Sequence, residues 1–186
     1  SHLNMTGGSI TISSHQRILT QDFNLTNSSL KNTSINSAYA QGNTTLDNNK
    51  FDNSRFSSSN NGVDPTNNRK PYTPVATLTV TNNTFENWNS LVDVSSHKFN
   101  TITINNNQFN NNSYGITIRA HYRVRHGKSY MKKPADVEIK NNTFNKDRKG
   151  VDIQAGRFDV TGNNFIESPG IRYHAVGNTH PNYSSS

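Results

Sequence analysis

The 186-residue chain contains no cysteine. Disulfides, thiolate metal sites and cysteine nucleophiles are therefore excluded. Hydrophobic residues are scarce as well, at 30%, with a mean hydropathy of −0.86. In an aperiodic chain such a composition implies disorder. No apolar run is long enough to cross a membrane as a helix, and no secretory signal stands at the start. No amphipathic helical pattern suits a membrane surface, and no helix-turn-helix, zinc-finger or RNP phrase suits nucleic acid. Acidic residues are also in short supply: 12 Asp and Glu face 19 Lys and Arg, giving a formal charge of +7 and a pI near 9.7. That balance favours anionic partners.

What the chain does contain is a phrase written five times. Leu46-Asp47-Asn48-Asn49-Lys50-Phe51 is followed by Val80-Thr81-Asn82-Asn83-Thr84-Phe85, Ile104-Asn105-Asn106-Asn107-Gln108-Phe109, Ile139-Lys140-Asn141-Asn142-Thr143-Phe144 and Val160-Thr161-Gly162-Asn163-Asn164-Phe165. A degenerate copy opens at Leu25. Phrase starts at 25, 46, 80, 104, 139 and 160 give a period of 21 to 24 residues, lengthened twice by segments 52–74 and 119–134, which read as inserted loops. Self-similarity at this period marks a solenoid.

Each repeat resolves into strands and turns. Alternating runs such as Leu78-Thr79-Val80 and Ile102-Thr103-Ile104 precede the Asn pair, and a second set, including Leu91-Val92-Asp93-Val94 and Gly150-Val151-Asp152-Ile153, follows the Phe. Two strands per coil, cornered by Asn and Gly, make a rung. Asn tolerates left-handed backbone and bonds nearby backbone groups, so it suits a corner. In register, Asn49, Asn83, Asn107, Asn142 and Asn163 form an amide ladder, and Phe51, Phe85, Phe109, Phe144 and Phe165 an internal aromatic stack. A narrow solenoid needs only its inward positions to be apolar, which reconciles order with low hydrophobicity.

The V/I-x-N-N-x-F phrase followed by G-[VI]-x-[IV] resembles the right-handed parallel β-helix of the pectin-lyase-like superfamily over residues 9 to about 176. The resemblance implies an all-β, single-stranded solenoid of six to seven coils, placed outside the cell, at its surface or on a phage virion. Polysaccharide lyases, glycoside hydrolases, tailspike depolymerases and adhesins share that fold, and no catalytic phrase travels with it. The expected organisation is a tag remnant or linker over 1–8, the β-helix over 9–177 and a polar tail over 178–186. The chain reads as an excised piece of a longer protein, adjoined by further coils, another domain or a second copy.

Charge concentrates in the second insertion. Arg119, His121, Arg123, Arg125, His126, Lys128, Lys132 and Lys133 lie there, with Tyr122 and Tyr130 interleaved. Binding residues concentrate on loops carried by a regular scaffold, and a solenoid offers a straight groove to an extended polymer. An anionic polysaccharide or cell-wall glycan is the expected partner, with no nucleic acid and no membrane insertion. Trp88, the sole Trp, either stacks on a sugar ring or plugs a corner beside Phe85.

Column arithmetic supplies candidate catalytic residues. Asp93, Thr117, Asp152 and Arg172 stack in one outward column, with Ser95, Arg119, Gln154 and His174 two residues on. Rungs about 4.8 Å apart put the Asp93 and Asp152 carboxylates roughly 9 to 10 Å from one another, near the upper limit for an inverting glycosidase. In a lyase, Arg119, Arg172 or His174 would instead neutralise a uronate and draw off its neighbouring proton. His121 and His174 titrate nearest the working range. A solvated cross-rung pair, Asp152 with Arg172, is the alternative for the column. No resident cofactor is expected, although Ca²⁺ held by the acidic residues fits a lyase.

Overall fold

The computed structural model describes residues 4–11, 22–36, 42–58, 76–95, 99–119, 124–125, 128–129, 135–154 and 157–173. Every strand pairing between windings is parallel, and all but one keep a constant register, as a right-handed parallel β-helix requires. A leading strand β1 (Asn4–Thr11) precedes β2 (Phe23–Thr26) and β3 (Ser29–Asn36) of the first winding. The second winding holds β4 (Thr44–Asp47), β5 (Lys50–Asp52) and β6 (Arg55–Ser57), and the third β7 (Thr77–Thr81), β8 (Thr84–Glu86) and β9 (Asn89–Ser95). The fourth holds β10 (Thr101–Asn105), β11 (Gln108–Asn110) and β12 (Tyr114–Arg119), followed by a small antiparallel hairpin, β13 (Val124–Arg125) with β14 (Lys128–Ser129). The fifth holds β15 (Asp136–Lys140), β16 (Thr143–Asn145) and β17 (Val151–Ile153), and the sixth β18 (Arg157–Thr161), β19 (Asn164–Ile166) and β20 (Ile171–Tyr173).

Each complete winding thus has three strands, not the two read from the sequence. The extra strand is the short one carrying Phe, isolated because a second corner follows it. At the first corner the left-handed residue is Asn27, Asn48, Asn82, Asn106, Asn141 or Gly162; five residues later Asn32, Asn53, Asn87, Asn111, Lys146 and Glu167 also have positive φ, between 46° and 70°. In the first winding the second corner merely bends β3, which pairs with β5 at one end and β6 at the other.

The expected ladder and stack are both present. Asn83 Nδ2 donates to Asn107 Oδ1 at 3.0 Å and to the Leu46 carbonyl at 2.9 Å, while the backbone N–H of Asn83 donates to the same Asn107 Oδ1 at 2.9 Å. The pattern repeats from Asn49 to Asn163. Each ladder amide from Asn49 to Asn142 thereby bonds to the windings on either side of it, Oδ1 accepting and Nδ2 donating. Neighbouring rings of Phe51, Phe85, Phe109, Phe144 and Phe165 lie 4.6 to 5.1 Å apart and within 12° of parallel. With Leu46, Leu78, Val80, Ile102, Ile104 and Ile139 they form the core.

Two boundaries differ from the sequence reading. β1 begins at Asn4, inside the stretch 1–8 read as a linker, because Met5 and Ile10 pack on the core opposite Leu30 and Ile35. β6 lies inside the stretch 52–74 read as loop, because Phe56 points inward between the outward Arg55 and Ser57. The proposed polar tail 178–186 lies outside the described residues.

Candidate functional site

The third strands β6, β9, β12, β17 and β20 stack into one sheet whose outer face carries the candidate residues. Thr117, Asp152 and Arg172 align as expected, pairing directly across β12, β17 and β20. Asp93 does not join that column cleanly. Leu91 faces Ile116 but Val94 faces Ile118, so β9 spends two residues, Val92 and Asp93, where β12 spends one, Thr117. Asp93 absorbs this bulge with φ 52°. A bulge re-aims the side chain it carries, and Asp93 turns toward Arg119.

Arg119 ends β12 and stands between the two acids. Its Nε lies 3.8 Å from Asp93 Oδ1 and its Nη1 3.8 Å from Asp152 Oδ2. The carboxylates expected to face one another across open space therefore share one guanidinium. Asp152 is only 5% exposed although it points away from the core, and Thr117 beside it 1%. A carboxylate so covered requires a paired cation. That cation is Arg119 of the preceding winding; among the described residues Arg172, on the following one, makes no ion pair with Asp152.

The remaining candidates separate. Gln154 follows β17, its N–H donating to the Ile118 carbonyl at 2.8 Å. Trp88 is half-buried at the second corner, its N–H donating to Asn112 Oδ1 at 3.2 Å. The backbones of Arg125 and Lys128 are register partners in the hairpin. His121, Tyr122, Arg123 and His174 lie outside the described residues, as do His97 and His126.

The sequence reading missed a second ladder. Thr33 N–H donates to Ser54 Oγ, Asn112 N–H to Asp147 Oδ1 at 2.7 Å and Asp147 N–H to Ser168 Oγ at 2.9 Å. Asp147 is buried and its Oδ2 has no hydrogen-bond partner. Burial pushes this carboxyl from its ordinary 3.8 up to about 6, against the opposing hydrogen bond from Asn112.

Residues 1–182 match the family model described as NosD, periplasmic copper-binding protein. The chain belongs to the NosD family. No curated protein and no solved structure matches it. The NosD description implies copper, which favours imidazole and sulfur donors. Among the described residues no three His, Cys, Asp or Glu gather as a ligand set. The acids of the candidate column, Asp93 and Asp152, offer hard oxygens already engaged by a guanidinium, and the directly paired acids Glu138 and Asp159 share Lys140. The described residues therefore do not fit copper, nor Ca²⁺, which takes six to eight oxygens. All seven His of this NosD member lie outside them.

Proposed function

We propose that the chain is an extracytoplasmic domain that binds an extended anionic polysaccharide across the outer face of the third sheet. The observation that carries this reading is the root of the basic segment 119–134: Arg119 is clamped by Asp93 and Asp152. Arg123, Arg125, Lys128, Lys132 and Lys133 follow from that fixed point within fourteen residues. The two acids outnumber the charge of Arg119 and leave the triplet net negative, so attraction rests on the cations beyond it and on Arg172. His121 and Tyr122 belong to the same segment, and Gln154 and His174 directly follow β17 and β20, so all four are further candidates for contact. The formal charge of +7 supports an anionic ligand, and the periplasmic description of the family supports a place outside the cytoplasm.

Binding is favoured over cleavage. An inverting hydrolase needs water between carboxylates roughly 6.5 to 9.5 Å apart, and here a guanidinium holds that place. Retention on immobilised polygalacturonate is expected at low salt, released as ionic strength rises and lost when Arg123, Arg125, Lys128, Lys132 and Lys133 are all changed to Gln. Neither new reducing ends nor the ultraviolet absorbance of unsaturated uronate is expected. Their appearance would establish a hydrolase or lyase with Asp93, Asp152, Arg172 and His174 as first suspects, and absence of retention would overturn the reading.

The family description favours a second reading, copper binding through imidazoles. His97 and His121 are its best candidates, each two residues past Ser95 and Arg119, which pair across β9 and β12. Calorimetry with Cu²⁺ on the His97→Ala/His121→Ala variant separates this reading from the first.

A further inference from the structure

At the start of the third strands, four consecutive windings present a stripe that the sequence reading did not assemble. Arg55 opens β6, Trp88 immediately precedes β9, Tyr114 opens β12, and Lys149 stands two residues before β17. The backbone places them side by side: the Ser113 N–H donates to the Trp88 carbonyl at 2.8 Å and the Gly115 N–H to the Lys149 carbonyl at 2.9 Å. At 4.7 to 4.9 Å per winding the stripe runs roughly 14 Å along the solenoid axis.

The cations of this stripe are held by aromatic rings and not by acids. Arg55 Cζ lies 5.3 Å from the centroid of the Trp88 ring. Lys149 Nζ lies 4.6 Å from the centroid of Tyr114 and 3.2 Å from its hydroxyl. Elsewhere on the coil Lys31, Lys50, Lys140 and Arg119 are neutralised by carboxylates. Among the described residues neither Arg55 nor Lys149 has such a partner, and Arg55 Nε is buried without a hydrogen bond. A cation fixed against a ring keeps its charge available and its side chain ordered, which lowers the entropic cost of engaging an anion.

We infer that Arg55, Trp88, Tyr114 and Lys149 form a docking track for a carboxylated polysaccharide lying parallel to the solenoid axis, its sugar rings against Trp88 and Tyr114 and its carboxylates on the two end cations. The track deepens the proposed function and rests on it: it names uronate as the substrate class and assigns four residues outside the basic segment. The two aromatics supply the apolar surface on which pyranose C–H faces pack. The cations at either end reject a neutral or cationic polymer.

Trp88 is the only Trp in the chain, so its emission reports the track directly. Titration with a hexamer of galacturonic acid is expected to change that emission saturably, to weaken with salt, and to be absent with the fully methyl-esterified hexamer. Lys149→Met and Arg55→Met are each expected to weaken affinity about two- to fivefold, with circular-dichroism melts confirming that both variants fold. Calorimetry on the same samples separates the failures. Heat of binding that disappears with the Gln-substituted 119–134 segment but leaves Trp88 emission and the Lys149→Met affinity unchanged overturns the track alone. Absence of any heat with the hexamer overturns the track and the anionic-polysaccharide reading together.

Discussion

Asp147 shows how one residue departs from its own repeat. Its ladder equivalent one winding earlier, Asn112, donates from Nδ2 to the Phe85 carbonyl at 3.2 Å, whereas Asp147 Oδ2 is buried with no donor to offer while ionised. Because burial raises this acid to about 6, its neutral form is the one the fold favours. Below pH 3.8 folded and unfolded chains are both protonated there and the group costs nothing. Between 3.8 and about 6 the unfolded chain ionises first, so stability falls as pH rises, and above about 6 the cost levels off near 3 kcal/mol. Asp147→Asn is expected to raise the melting temperature at pH 7, to show little difference from the parent at pH 3.5, and to flatten the pH dependence between. Gly150 is fixed by a different constraint: a Cβ there would meet the Pro169 carbonyl and the Phe165 ring.

At the scale of the element, the corner matters more than the strand. A ladder Asn satisfies three buried backbone groups at once. Asn107 accepts the Asn83 N–H through Oδ1 and donates through Nδ2 to the Val80 and Asn105 carbonyls, at 2.9 to 3.0 Å. Asn107→Ala is expected to cost about 2 to 4 kcal/mol in chemical denaturation, since each orphaned group carries roughly 1 to 3 kcal/mol of desolvation. A comparable midpoint for variant and parent would show that water replaces the amide. This first corner was legible in the sequence because Asn recurs at the same place in five windings. The second was not: its ladder positions hold Thr33, Ser54, Asn112, Asp147 and Ser168, a chemically mixed set, and its left-handed residues include Lys146 and Glu167. Only the constant offset of five residues from the first corner signalled it. The Asp93 bulge was hidden for a related reason, since Leu91-Val92-Asp93-Val94 reads as plain alternation and one surplus residue becomes visible only against the partner strand β12.

Across the whole molecule, periodicity turns distance in sequence into adjacency on a face. Thr117, Asp152 and Arg172 are far apart along the chain and neighbours across β12, β17 and β20. That much followed from the repeat alone. Which outward residues act together did not follow from it, because side-chain pairing depends on bulges and on what covers the sheet: Asp152 chose Arg119 of the winding before, and Arg55 and Lys149 chose aromatic rings. Two features of one sheet, a clamped basic root and a cation-aromatic stripe, together form the surface proposed for an acidic glycan. A crystal structure of the chain with a galacturonate hexamer tests this most directly. The account predicts sugar density running along the solenoid axis over Trp88 and Tyr114, with a carboxylate within ion-pair distance of Lys149 or Arg55. Density on another sheet, or a chain crossing the strands without touching either aromatic, would contradict it.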